Sequence, residues 1–349
     1  MIELLTEYGL FLAKTVTIVI AVLIVIGGVA SASAARTRRE PHQGDVKVAH
    51  LNERYDDMER DLKEMVLDKD ALKEEEKARK KKEKEEKKRA KGEVPEKPRL
   101  FVIDFDGDME ASQVESLAQS VSAVLTIANA NDEVVLRLES PGGQVHGYGL
   151  ASSQLLRIKD HGIPLTVCVD KVAASGGYMM ACNGDKILAA PFAILGSVGV
   201  VAELPNFNRV LKKYEVDYDI YTAGEYKRTV TMLGENTDEG KKKFNQEIEE
   251  THQLFKDHVS NHRPQLNIEK IATGEHWYGS QCLELGLVDE IRTSDDYLFS
   301  RRKDAEIFEV SFEFKRSMAE KLGLNVESVL ERALIRVWHR LSSRERNIV

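Results

Sequence analysis

The stretch Leu165-Thr-Val-Cys-Val-Asp-Lys-Val-Ala-Ala-Ser-Gly-Gly-Tyr178 decides how this chain is read. Its first part, Leu165–Val169, is a short uncharged apolar run, which predicts a strand. Its second part is built of small residues, and a helix opens at Ser175. Serine in such a place most often caps a helix or packs tightly. Two other pieces, in order along the chain, add a second meaning. Upstream lies Ser140-Pro-Gly-Gly-Gln-Val145, a turn with two consecutive glycines. Downstream, after a second strand-like run, lies Tyr221-Thr-Ala-Gly-Glu-Tyr-Lys-Arg228, which carries Lys227. A hydroxyl, an amine and a glycine-rich turn are the components of a Ser–Lys hydrolase. The hydroxyl attacks, the amine takes its proton, and backbone N–H groups hold the oxyanion.

Working outward, apolar strand-like runs alternate with helical stretches from Arg99 onward. Leu100–Asp104, Val134–Leu138 and Leu165–Val169 read as strands. Helices are expected over about 111–128, from the Pro-Gly-Gly turn through about Arg157, and from Ser175. This alternation implies βαβ units and a mainly parallel sheet. The apolar stretch Ile187–Ala202 contains Pro191 and two glycines, and it reads as a buried strand-turn-strand rather than a membrane span. A span there would put Ser175 and Lys227 on opposite sides of the membrane.

The chemistry needs a base for Ser175. Among nine histidines, His146 lies just past the Pro-Gly-Gly turn and His276 precedes Trp277, and neither has a carboxylate partner readable from sequence. In a Ser–Lys dyad the amine must be neutral. Burial has to bring its ordinary pKa of about 10.4 toward about 7–8. Glu225 and Arg228 flank Lys227, so that burial has to come from the fold. The oxyanion donors expected are the N–H of Gly176 and one from Gly142-Gly143, with Gly143 favoured, because glycine lets the backbone approach a substrate closely. The same turn can present a strand edge to an extended peptide. No cluster of metal ligands is visible, no cofactor is expected, and the three cysteines, Cys168, Cys182 and Cys282, read as buried small hydrophobes.

Five pieces taken together resemble the signal peptide peptidase A family of membrane serine proteases. They are Glu139-Ser-Pro-Gly-Gly-Gln-Val145, Val172-Ala-Ala-Ser-Gly-Gly-Tyr178, Leu195-Gly-Ser-Val-Gly-Val200, Ala223-Gly-Glu-Tyr-Lys-Arg228, and Trp277-Tyr-Gly279 followed by Leu285-Gly-Leu-Val-Asp289. The resemblance covers roughly residues 98 to 300 and looks like a short, single-domain branch. It implies a fold shared with the Clp protease subunit and the crotonases: an α/β domain with a mainly parallel sheet and flanking helices, preceded by one N-terminal transmembrane helix. It also implies that Ser197, in the Gly-Ser-hydrophobic-Gly motif, orients the lysine, and that short members assemble as homo-oligomeric rings. The substrates implied are hydrophobic or unfolded, signal-peptide-like peptides.

The chain has 349 residues, 31% of them charged, with a formal net charge of −8, which leaves no nucleic-acid footprint. Four regions follow: an N-terminal anchor over 1–35, a charged linker or helical stalk over 36–98, the protease domain over 99–300, and a C-terminal strand and amphipathic helix over 301–349. Thr15–Ala34, extended back to Gly9 past the single charge of Lys14, has the ~20 residues needed to cross a bilayer and reads as a retained anchor in a bacterial-type inner membrane rather than a cleaved signal. Arg36, Arg38 and Arg39 directly after it place the catalytic domain in the cytoplasm by the positive-inside rule, whereas the family resemblance implies the periplasm. From about Asp56 to Lys97 both signs of charge mix at helical spacing. The tail from about Asn325 spaces Val326, Val329, Leu330, Ala333, Leu334, Val337, Trp338 and Leu341 as one apolar helical face.

The leading expectation is a membrane-anchored serine endopeptidase. A crotonase-like enzyme acting on acyl thioesters is the alternative within the fold. An inactive membrane-anchored scaffold is the alternative outside enzymes.

Overall fold

A computed structural model describes residues 44–68, 70–74 and 97–315, together with residues 9, 14–17 and 77. The chain divides into a unit spanning Val46–Phe312 and a second one made of Met1–Asp45 and Glu313–Val349. The first unit carries the sheet. Most of the expected membrane anchor, much of the charged run and the amphipathic tail lie outside the described residues. Among the described residues no helix is long and apolar enough to cross a membrane.

A seven-stranded sheet forms the centre, in the order β1 (Gly44–His50), β10 (Glu306–Phe314), β2 (Arg99–Asp106), β3 (Glu133–Glu139), β4 (Leu165–Val169), β6 (Lys186–Ala189) and β9 (Glu290–Ile291). The pairs β10·β2, β2·β3, β3·β4, β4·β6 and β6·β9 are all parallel. Parallel neighbours need crossovers, and helices α2 (Val114–Leu125) and α3 (Val145–Asp160) supply those between β2, β3 and β4. The mixed α/β fold with a mostly parallel central sheet agrees with the strand–helix alternation of the sequence.

Both faces of this sheet are covered, which is why its strands are continuous apolar runs rather than alternating ones. Phe101, Ile103 and Phe105 of β2 join one core with Leu136, Tyr148 and Leu155. Leu100 and Val102 join another with Val135, Cys168 and Leu188. Each such side chain contributes about 1.5–3 kcal/mol of hydrophobic stabilisation. Cys168, Cys182 and Cys282 are buried and free. Burial pushes the Cys182 and Cys282 thiols up to about 12, so they behave as packing groups.

The sheet reaches beyond the 99–300 span. β1 falls inside the region read as linker or stalk, and β10 returns the C-terminal part of the domain to the sheet. Helix α1 (Leu51–Val66) follows β1 directly, with Leu51 in the core and Tyr55 packed against it. Asn52 locks the two ends together: its Nδ2 donates to the carbonyls of Arg302 (2.9 Å) and Ala305 (3.0 Å), and its Oδ1 accepts from the Ile307 N–H (2.7 Å).

A second sheet of three strands carries the candidate site. Strand β5 (Val172–Ala174) pairs in parallel with β7 (Ile194–Gly196), and β7 pairs antiparallel with β8 (His276–Tyr278). The expected strand-turn-strand of Ile187–Ala202 is thus β6 and β7. The expected strand before Lys227 is not formed: Val216, Tyr218 and Ile220 are exposed and have no strand to pair with. Residues 199–237 instead make a long excursion between β7 and helix α6 (Asp238–His262), containing only the short helix α5 (Asn208–Lys213). It is tied to itself by Asn206 and Asn208, whose side chains hold the carbonyls of Thr231, Leu233 and Gly234.

Candidate functional site

Ser175 follows β5 and sits at the N-cap of the short helix α4 (Gly176–Ala181), with φ +51° and ψ −119°. A positive φ is uncommon for a residue with a Cβ and is held only when the surroundings over-determine it. Here they do. The Ser175 N–H donates to the Gly196 carbonyl (2.8 Å), and its own carbonyl accepts from the Met179 N–H (3.0 Å). On the other side, the end of β3 grips β5: the Ser140 N–H donates to Val172 O (2.8 Å), and the Ala174 N–H donates to Ser140 O (3.0 Å). The side chain does not cap the helix. The hydroxyl is therefore uncommitted, and the capping role usual for serine in this place is not the one it fills.

The Pro-Gly-Gly turn lies directly against this serine. A Cβ on Gly142, whose φ is +88°, would stand 2.7 Å from each of Ser175 Cβ, Gly176 N and Ala174 O. Only glycine fits there. Of the three proposed oxyanion donors, Gly142 is engaged, because its N–H donates to Ser140 Oγ (3.0 Å). The N–H groups of Gly143 and Gly176 donate to no other group among the described residues.

Tyr148, which sequence reasoning did not single out, braces the arrangement. Its hydroxyl meets Ser140 Oγ at 2.5 Å and donates to Asp108 O at 2.7 Å. Its ring lies under Gly176, where an added Cβ would come within 2.3 Å of Tyr148 Cγ. Burial raises the Tyr148 phenol above its ordinary pKa, so it stays neutral and acts through packing and hydrogen bonding. A lone tyrosine in a helical stretch gives no signal of this in sequence.

Ser197 follows β7 as Ser175 follows β5. The register pairs Ala174 with Gly196, so the two serines leave neighbouring parallel strands side by side. The Ser197 N–H donates to Glu275 O (2.6 Å). Lys227 is placed differently. It lies on an exposed turn closed by its N–H to Gly224 O (3.2 Å), with exposed Glu225 and Arg228 beside it. No hydrogen bond joins it to Ser175 or Ser197 within the chain, and the burial a neutral amine needs is absent in the single chain. His146 and His276 are exposed.

The chain is a peptidase. It belongs to peptidase family S49: residues 3–155 match the family's N-terminal domain and residues 157–308 match the peptidase S49 domain itself. It is 49% identical to "Probable protease SohB" of Haemophilus influenzae over 98% of each chain. It is 43% identical to "Probable protease SohB" of Buchnera aphidicola subsp. Schizaphis graminum, over 96% of this chain and 98% of the relative. "Protease 4" of Haemophilus influenzae is 28% identical over 63% of this chain and 38% of its own. The resemblance stated from the five motifs is to this same family.

Proposed function

We propose that the chain is a membrane-anchored serine endopeptidase that cleaves hydrophobic or unfolded peptides. The observation that carries this reading is Ser175: its hydroxyl is left uncommitted at a strained strand-to-helix turn, beside the free N–H groups of Gly143 and Gly176. In this reading Ser175 Oγ attacks the scissile carbonyl while Lys227 Nζ takes its proton. The oxyanion of the tetrahedral intermediate accepts hydrogen bonds from Gly143 and Gly176. The lysine returns its proton to the leaving amine, and water then frees the acyl group by the same route. Ser197 orients the amine without favouring its charge. The apolar run Thr15–Ala34 supports an inner-membrane anchor.

The lysine reaches its partner in an oligomer. Two observations support this: Lys227 is exposed in the single chain, and the segment carrying it holds apolar side chains in water, with Val201 82%, Tyr214 70% and Tyr221 91% exposed. A neighbouring copy that covers this segment removes water from around Lys227, and burial disfavours the charged form of an amine. The test uses a serine-directed fluorophosphonate and two inactive variants. Wild type is labelled at Ser175, whereas Ser175→Ala is not. Mixed Ser175→Ala and Lys227→Ala proteins regain activity if the dyad joins two copies and none if it closes within one. Turnover of an acyl thioester without fluorophosphonate labelling would instead favour crotonase-like chemistry.

A further inference from the structure

Helix α6 begins where the Lys227 segment ends, with Thr237 as its N-cap. It then runs past both serines of the candidate site, and one of its faces carries His252, Phe255, His258, Val259 and His262. Phe255 and Val259 are buried in the core. The three histidines share that face and spend their hydrogen bonds on backbone carbonyls, an unusual use for a side chain that surfaces normally leave to water.

His258 Nε2 lies 3.1 Å from Met179 O. Met179 is the residue whose N–H holds the carbonyl of Ser175. Two hydrogen bonds, joined through the Met179 backbone, thus link His258 to the candidate nucleophile. His252 Nε2 lies 3.3 Å from Val198 O, the residue directly after Ser197. His262 Nδ1 lies 2.8 Å from His258 O, and its ring lies 4.4 Å from that of His258, so the second imidazole is itself held.

The Met179 carbonyl is the focus of a buried polar cluster. Ser152 Oγ, Asn183 Nδ2 and Cys182 Sγ each lie 3.3 Å from it. Asn183 Nδ2 also donates to Ser152 Oγ at 2.7 Å, and that Oγ lies 3.3 Å from His258 Nε2. With its proton on Nε2, His258 donates to Met179 O. In the other tautomer Nε2 accepts from the Ser152 hydroxyl, and Met179 O loses its best-placed donor. A carbonyl inside a dry core that loses donors pulls its helix toward new partners, because an unmet buried polar group is costly.

We propose that His252 and His258 are positioning residues that set the spacing of Ser175 and Ser197 from a single rigid helix. The proposal rests on the serine reading of the site. One helix holds the Met179 carbonyl, whose residue grips Ser175, and the Val198 carbonyl next to Ser197, so the two serines are referred to one rigid element rather than to the exposed Lys227 segment. Misplacement of a reacting group by about 1 Å costs on the order of a hundredfold in rate.

The test compares His258→Leu with His258→Gln, and His252→Leu with His252→Gln. Glutamine keeps an N–H donor and leucine keeps only bulk. Each full-length variant is assayed for peptide hydrolysis, for the rate of fluorophosphonate labelling at Ser175 and for thermal unfolding. The leucine variants are expected to lose about 10–100-fold in kcat and in labelling rate, with KM changed less than about threefold. The glutamine variants are expected to recover most of both. Should His258→Leu not fold, the same comparison at half-buried His252 decides. Leucine variants with wild-type kcat, or glutamine variants no better than leucine ones, overturn the proposal. Hydrolysis by Ser175→Ala, with no labelling of wild type, removes the serine reading itself, and the positioning role with it.

Discussion

Ser175 and Ser197 leave adjacent parallel strands one residue past the Ala174–Gly196 pair, and both have a positive φ, +51° and +52°. The ladder continues into the turn, because the Ser175 N–H donates to Gly196 O at 2.8 Å. Two non-glycine residues in this region of backbone space each cost about 1–3 kcal/mol. That cost is offset by the strand pairing on both sides, which holds the two serines at the ends of paired strands.

Replacing each hydroxyl separately tests their roles. Ser175→Ala is expected to lower kcat by at least about a thousandfold with unfolding temperature nearly unchanged, because Ser175 Oγ makes no capping hydrogen bond to its helix. Ser197→Ala is expected to lower kcat by about 10–100-fold while fluorophosphonate labelling of Ser175 persists at a slower rate. Equal turnover in wild type and Ser175→Ala would sink the serine mechanism.

The glycines make a paired test. Gly142→Ala drives a Cβ to 2.7 Å from Ser175 Cβ at a φ of +88°. We expect a loss of activity of about a hundredfold or more and of about 1–3 kcal/mol in stability. Gly149, the fifth residue of α3, has nothing within 4 Å of an added Cβ. Gly149→Ala is expected to stabilise the fold by about 0.5–1 kcal/mol and leave kcat alone. Chemical unfolding and steady-state assays of both variants check this, and matching behaviour in the two would contradict it.

Asp132 anchors the start of β2. It is 3% exposed and accepts from the Arg99 N–H (3.0 Å), from Arg99 Nε (3.1 Å) and NH2 (2.6 Å), and from the Asn129 N–H (2.9 Å). Burial alone would raise its carboxyl, but the Arg99 guanidinium and the backbone donors outweigh it and hold the pKa below the usual range. Stability from this group is full above an unfolded pKa of about 3.9 and is lost as pH falls through the lower native value. Asp132→Asn is expected to cost about 3 kcal/mol at neutral pH. The variant's acid-side stability profile should be shallower than that of wild type. An unchanged profile would show that the pair contributes nothing.

His258 predicts a second pH effect, in the opposite chemical sense. Burial first, and the neighbouring His262 second, hold its imidazole below the ordinary value, with the Met179 carbonyl acting weakly the other way. The unfolded chain therefore takes up a proton before the folded one does. Stability falls as pH drops below about 6.5 and levels off once the native value is passed. His258→Gln removes this slope. Thermal unfolding of both proteins between about pH 7.5 and 5 would show it, and parallel curves would count against it.

Much of the fold was legible because parallel strands announce themselves. Leu165-Thr-Val-Cys-Val169 is buried at every position, and such a run has few other readings. Ser175 with Gly142 and Gly143 was legible because close backbone approach admits few residue types. Strand β1 gives no signal inside the region read as linker, and the charged run from about Asp56 shows the helical spacing of α1 but not its docking on the sheet. Their anchors are Leu51, Tyr55 and Asn52, and the partners of Asn52 lie up to 255 residues away. Tyr148, His252 and His258 were missed for the same reason: each acts on a carbonyl that no local spacing can point to. Lys227 stands out by its motif, but the exposed turn it lies on does not, since the apolar pattern before it looks like a strand and is instead exposed.

Strand β10 lies between β1 and β2 in the sheet, and it is the last strand among the described residues. Until residues 306–314 have left the ribosome, β2 has an open edge on that side and Asn52 lacks the Ile307 N–H. Synthesis therefore imposes an order: the peptidase sheet closes only after nearly the whole domain has been made. A nascent chain stopped short of Glu306 exposes strand backbone that other chains can pair with. The timing of the sheet's completion is thereby written into the topology.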